Sequence, residues 1–275
     1  MAWTLTAVNV SPNFVRKSNS MKRKLTGSGW IIILLFGILS AGCNKEGDEL
    51  PPEFSELSFD EQEVIEKLPE GLLASTDPKA QECVVMIMEA MDMSAFQDNL
   101  EVPENAQRLS KKASSDTWSW TFSYAGETWT FYWTYSEDSS KEYWAMEIQY
   151  GEGDRYDYIN AWEMKDGSAG EVVYSFNWVQ LYDQEYMSYV DLHMTFTWSM
   201  DVSGTYHFGW TYEGNSTEYD YVMEYSIVIY ADGSGALDYY YYDQLFYHME
   251  WDASGNGSWT YYFGEMEESG SWTAG

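Results

Sequence analysis

From residue 117 onward, aromatic side chains recur at every second position. In Thr117-Trp118-Ser119-Trp120-Thr121-Phe122-Ser123-Tyr124 the rings alternate with hydroxyls, and Trp129, Phe131, Trp133 and Tyr135 continue the pattern. Met194, Phe196, Trp198 and Met200 repeat it, as do Tyr206, Phe208, Trp210 and Tyr212. Successive side chains of a β-strand point to opposite faces. Such runs therefore predict strands with one aromatic face and one face of hydroxyls and carboxylates. Alternation of this kind belongs to antiparallel sheets with one wet side. Of the 50 aromatic residues, 43 fall in 117–275, so this part of the chain has its own structural task.

Short polar segments punctuate the runs: Asp166-Gly167-Ser168-Ala169-Gly170, Asp201-Val202-Ser203-Gly204, Asp232-Gly233-Ser234-Gly235, Asp252-Ala253-Ser254-Gly255 and Glu268-Ser269-Gly270. Glycine supplies positive φ and Asp or Ser bonds the turn backbone, so each is expected to close a hairpin. Their unequal spacing predicts a meander of about eleven or twelve strands rather than a strict repeat. If the loop at 201–204 closes a hairpin, His207 is expected opposite Trp198 and His193 opposite Tyr212. An aromatic face this wide has to be covered. The expected fold is mainly β: a large curved antiparallel meander, open as a half-barrel or arranged as a barrel or sandwich, with two short N-terminal helices. An outer-membrane barrel is a poor fit, because Trp and Tyr fill the strand centres rather than the girdles.

The helices are expected at 59–72 and 78–98. Asp60 with Glu63 suits the start of the first, and Pro69-Glu70-Gly71 interrupts it. Asp77 with Pro78 suits the start of the second, where Val84, Val85, Ile87, Met88 and Met91 form an apolar face. Pro103 and Ser110-Lys111-Lys112 mark a loop before the sheet. The expected organisation is 59–112 helical and 117–275 antiparallel β.

Upstream, Met21-Lys22-Arg23-Lys24 is followed by an apolar run from Trp30 to Leu39 and by Ser40-Ala41-Gly42-Cys43. This is the order of a secretory signal, and the apolar run is short for a transmembrane helix. Leu39-Ser40-Ala41-Gly42-Cys43 resembles the lipobox of bacterial lipoproteins, with Ser40 where that family carries a branched aliphatic residue. The resemblance implies a signal peptide over 21–42, cleavage after Gly42 and acylation of Cys43. Residues 1–20 fit no signal pattern and are read as lying upstream of a start at Met21. Residues 43–58 read as an acidic tether, and Asn44-Lys45-Glu46-Gly47-Asp48-Glu49 resembles the export tag of surface-displayed lipoproteins. The implied location is the cell envelope, lipid-anchored in the outer membrane and exposed at the surface. Two or more acyl chains anchor stably, so the membrane is the first expected partner.

The formal charge is −31, and removal of 1–42 leaves nine Lys and Arg against 45 Asp and Glu. No Lys or Arg follows Lys165. Nucleic-acid binding depends on such residues, as does docking on anionic lipid, so the charge argues against both. With Cys43 acylated, Cys83 has no disulfide partner and reads as a small buried hydrophobe.

The sequence carries no nucleophile elbow, phosphate loop, dinucleotide fingerprint or zinc spacing. His193, His207 and His248 lack metal-ligand spacing, and the Asp turns are too short for an EF-hand loop. No catalysis, cofactor or metal is expected. Tyr132, Tyr230, Tyr240, Tyr242 and Tyr262 are out of phase with the aromatic stripe and fall among hydroxyls and carboxylates. Rings beside hydrogen-bonding groups suit glycan or extracellular-polymer binding. The alternatives are a carrier of an apolar ligand in the aromatic interior and a structural envelope protein with no small ligand.

Overall fold

The computed structural model describes residues 61–91, 102–111, 115–124, 126–175, 189–216 and 220–275. The signal segment, Cys43, the tether, Asp60 and the expected helical stretch 92–98 lie outside the described residues. All described elements belong to one compact unit, Asn44–Gly275.

Among the described residues three helices come first: α1 (Glu61–Ile65), α2 (Glu70–Leu73) and α3 (Pro78–Met91). The first expected helix is thus split. Pro69 has no N–H to continue α1, and its fixed φ of −58° starts α2 instead. Asp77 caps α3 as the sequence indicates, its Oδ1 accepting the Lys79 N–H at 2.8 Å. The buried stripe of α3 is Ala80, Cys83, Ile87 and Met91, whereas Val85 and Met88 of the expected face are exposed. The helix is rotated so that small Ala80 and Cys83 approach the sheet, which leaves room for the rings opposite.

Thirteen strands follow: β1 (Gln107–Lys111), β2 (Ser115–Tyr124), β3 (Glu127–Glu137), β4 (Lys141–Tyr150), β5 (Arg155–Met164), β6 (Ala169–Ser175), β7 (Tyr189–Met200), β8 (Tyr206–Ser216), β9 (Asp220–Ile229), β10 (Gly235–Tyr241), β11 (Gln244–Trp251), β12 (Gly257–Phe263) and β13 (Met266–Trp272). Each pairs antiparallel with the next, and among the described residues they form one unclosed meander of 13 strands.

Two expectations about local structure are corrected. Ser110 and Lys111 belong to β1 rather than to a loop, because β2 offers them partners in Thr117 and Asp116. Glu268-Ser269-Gly270 lies inside β13, and the reversal falls at Gly264–Glu265. Gly270 serves there as a strand residue facing the ring of Trp259.

The inner face is built in ranks. Trp198, Phe208, Ile227, Leu237, Met249 and Trp259 stand side by side across β7 to β12. Phe196, Trp210, Tyr225, Tyr239, Tyr247 and Tyr261 form the next rank in the same way. Trp118, Trp133, Met146, Ile159 and Tyr174 continue a buried inner rank on β2 to β6. Burial of rings on this scale supplies most of the driving force, each large side chain contributing about 1.5–3 kcal/mol.

The helices lie against the β8–β12 part of this face. Lys79 of α3 places its ammonium 4.7 Å from the Trp259 ring centroid and 3.2 Å from the Tyr247 hydroxyl. The Tyr206 hydroxyl donates to Glu63 at 2.8 Å, and the Gly275 N–H donates to the Gly71 carbonyl at 2.9 Å. The chain end is thereby tied to α2.

The Asp turns are built alike. Asp166, Asp201 and Asp232 each accept the N–H and the hydroxyl of the Ser two residues on, while Asp252 accepts the Ser254 and Asn256 N–H groups. Asp138, between β3 and β4, accepts from Ser140, Lys141 and the Tyr143 hydroxyl. All five turns follow odd-numbered strands, so the meander gathers them on one rim. The Asp201 turn also contains Thr205, whose N–H bonds Asp201. Closure is therefore at Met200–Tyr206, which sets His207 opposite Ser199 and His193 opposite Glu213. The expected pairings with Trp198 and Tyr212 are shifted by one residue for this reason.

Candidate binding surface

The outer face is polar by alternation, and the five candidate tyrosines fall in three places. At the rim opposite the Asp turns, Tyr240 on β10 and Tyr262 on β12 flank β11. Two interstrand spacings separate them, roughly 10 Å. Tyr240 is paired with Glu224 and Leu245, and Tyr262 with Glu267. Partial burial, with Asp238 and Glu224 nearby, raises the Tyr240 phenol pKa. Between β10 and β11 stands Tyr242, 40% exposed.

The turn that carries Tyr242 is unusual. Tyr242 has φ 51° and Asp243 φ 58°, both in the left-handed region. Two such residues in a row make the type I′ hairpin turn, which normally uses Asn-Gly or Gly-Gly. A bulky residue there costs about 1–2 kcal/mol. Tyr242 is held by an edge-on contact with Tyr241, centroids 4.5 Å apart.

Tyr132 stands elsewhere, on β3. Its hydroxyl donates to Gln149 at 2.7 Å and its ring lies 3.4 Å below the Arg155 guanidinium, which also pairs with Glu147. One face of that ring is thus occupied. Tyr230, 49% exposed, opens the Asp232 turn on the opposite rim from Tyr242. The structure therefore groups Tyr240, Tyr242 and Tyr262, and separates Tyr132 and Tyr230 from them.

Sequence periodicity misses two aromatic residues near these surfaces. Trp162 is on the outer face, its Nε1 donating to Glu171 at 3.2 Å and its ring under the Lys141 ammonium at 3.4 Å. Phe246 is on the inner face beside Tyr247, in ring contact with Tyr239 and Tyr261. Both follow from bulges. Tyr158 on β5 and Phe246 on β11 have no partner in the register, which shifts the phase of the residues beyond them.

The outer-face histidines are placed among acids and hydroxyls. His248 has Nδ1 2.6 Å from Asp238 and Nε2 3.8 Å from Glu250. His193 Nδ1 is 3.0 Å from the Ser175 hydroxyl. Among the described residues no three His, Cys, Asp or Glu are close enough to hold a metal ion. Cys83 is buried against the sheet, and desolvation with Glu82 alongside pushes its thiol pKa up to about 12. That suppresses the thiolate, the form that reacts with electrophiles and metals.

No protein family matches the chain, and no curated protein or solved structure is significantly similar to it.

Proposed function

We propose that the chain is a lipoprotein of the outer membrane, anchored through Cys43 and displayed at the cell surface. Its β domain binds a glycan or another extracellular polymer at Tyr240, Tyr242 and Tyr262, without catalysis. One observation carries the reading: Tyr242 is kept at a turn position that favours glycine, beside two further tyrosines on a polar face. Strain that persists in a folded protein points to a use for the side chain that bears it. Tyrosine rings stack on the C–H faces of sugars, while Glu224, Asp238 and Glu267 accept from sugar hydroxyls. The strongly acidic chain repels anionic polymers, so the ligand is neutral or cationic.

The test is a glycan array probed with the full chain in detergent micelles. Tyr240→Ala and Tyr262→Ala are expected to weaken any signal at least about tenfold, the scale of losing a stacked ring at a hot spot. Tyr132→Ala is expected to leave it unchanged. Loss of signal only in Tyr132→Ala moves the site to β3, and a blank array removes the glycan reading. Palmitate labelling that persists in Cys43→Ala removes the anchor.

A second reading rests on Trp133. Its indole is fully buried on the inner face, and its Nε1 has no hydrogen-bond partner among the described residues. A carrier would meet that N–H with an acceptor on an apolar ligand. Lipid recovered by mass spectrometry from the purified protein, with blank glycan arrays, favours the carrier.

A further inference from the structure

Among the described residues β13 ends the sheet, with β12 as its one neighbour. Only Trp272 of its seven residues is buried, and Met266 is 65% exposed. Its register with β12 runs from Trp272 opposite Gly257 to Met266 opposite Phe263 without a bulge. The strand has no proline and no lysine, so Glu267 and Glu268 are all that guard this edge against another strand.

The turn decides which backbone groups face outward. Gly264–Glu265 is a two-residue loop, so Phe263 and Met266 form the hydrogen-bonded pair that closes it. Bonded and non-bonded pairs alternate from there. Met266, Glu268, Gly270 and Trp272 direct their N–H and C=O groups at β12, while Glu267, Ser269 and Ser271 direct theirs away from the sheet. The side chains of these three lie on the outer face, because Glu268 and Gly270 stand opposite Tyr261 and Trp259 of the inner ranks.

We propose that two copies of this chain join their β13 edges antiparallel, about a two-fold axis through Ser269. The contact goes beyond the glycan reading and does not rest on it. Centred there, Glu267 pairs with Ser271 of the second copy, Ser269 with Ser269, and Ser271 with Glu267. These are the residues whose backbone groups face outward, so each pair can exchange both hydrogen bonds. Every residue of the strand finds a partner, since Met266 meets Trp272 of the second copy on the inner face. Glu267 against a serine repeats a pairing already present one strand in, where Ser258 donates to Glu250 opposite it at 3.0 Å.

Charge selects this register. Moving the centre toward the turn sets Glu268 or Glu267 directly against itself, which is destabilising. Moving it to Gly270 carries Met266 and Glu267 past the end of the other strand. A parallel pairing would turn one copy over and put its inner aromatic face on the outer side. In the Ser269 register Glu268 faces Gly270 and meets its own copy only diagonally. Both copies are strongly acidic, so salt strengthens the contact by screening. The interface is isologous, so it stops at two copies.

Sedimentation of the full chain in detergent micelles tests this. At about 1 M salt, particle mass is expected to rise with protein concentration from one chain to two and no further, and at about 0.01 M salt to stay nearer one. Ser269→Pro removes the N–H that bonds across the axis and leaves the β12 ladder intact, because that N–H faces outward. It should weaken association roughly tenfold, the scale of two lost backbone hydrogen bonds. Ser269→Glu should weaken it as well, by setting like charges opposite each other. One chain at every concentration, growth beyond two, or unchanged association in both variants overturns the proposal. If either variant misfolds, a short bismaleimide decides. It should join copies of Ser269→Cys well above the level for Ser139→Cys, which lies in the exposed turn between β3 and β4. Equal coupling of the two rejects the contact.

Discussion

Trp272 lies over Gly257, the residue directly opposite it on β12, and donates its indole N–H to the Gly255 carbonyl at 2.9 Å. Trp251 repeats the arrangement one hairpin earlier, over Gly235 and bonded to the Gly233 carbonyl at 2.8 Å. Trp198 covers Gly170 opposite it on β6. A glycine on the inner face thus makes room for a ring from the neighbouring strand, and in two hairpins the ring closes the Asp turn. The glycine has little to pack by itself, and the indole supplies the missing contact.

Gly257→Ala is expected to destabilise the fold by about 1–3 kcal/mol, the range for overpacking a filled core. The new Cβ would collide with both the Trp272 ring and the Glu250 carbonyl. Urea unfolding followed by tryptophan fluorescence measures it. An unchanged midpoint would mean that the ring moves aside freely.

Trp251→Phe keeps a ring but removes the donor to Gly233. A loss of about 1–3 kcal/mol is expected, because the buried carbonyl is left without its partner. Trp251→Ala should cost about 3–5 kcal/mol. If the Phe variant equals the parent in denaturant, water replaces the indole without cost.

Tyr242→Gly is expected to stabilise the fold by about 1 kcal/mol, since glycine adopts φ 51° without a clash. The same change should reduce glycan binding. Thermal unfolding and the array signal, measured on one sample, test the trade. A variant less stable than the parent would show that the Tyr241–Tyr242 contact outweighs the strain.

The turn aspartates set an acid limit. Hydroxyl hydrogen bonds from Ser168, Ser203 and Ser234 hold Asp166, Asp201 and Asp232 below the ordinary carboxylate range, and Asn256 does the same for Asp252. A depressed folded-state pKa means that the unfolded chain binds more protons. The stabilisation is full above the unfolded value near pH 4 and is lost as pH falls through the folded one. Protonation also relieves the chain's self-repulsion, which acts in the opposite sense. Comparing the parent with Asp232→Asn separates the two effects. The parent should lose more stability than the variant between pH 5 and pH 2, and parallel curves would refute the turn contribution.

Cys83 should resist alkylation while the protein is folded. Burial raises its pKa to about 12, so thiolate is scarce at pH 8. Iodoacetamide should label the Cys83 peptide in urea and leave it unlabelled in buffer, as read by mass spectrometry. Equal labelling in both would place α3 away from the sheet.

The alternation at Trp118–Phe122 and Trp129–Tyr135 was enough to assign β2 and β3 and the face of these rings, because facing is set locally by the two-residue period of a strand. The Asp turns were legible for the same reason, since their hydrogen bonds span only two to four residues. Asp77 was legible as a cap on similar grounds. Trp162, Phe246 and Gly270 were not. Their positions depend on bulges and on which residue a neighbouring strand places opposite, and pairing is a long-range property. The candidate surface divides along the same line. Polar-face tyrosines could be chosen by phase alone, but strand order and turn position gather Tyr240, Tyr242 and Tyr262 and place Tyr132 and Tyr230 elsewhere. Residue identity therefore determined what each strand shows on its two faces, and tertiary pairing alone decided which side chains meet, because contacts across the sheet are made by backbone partners far apart in the chain.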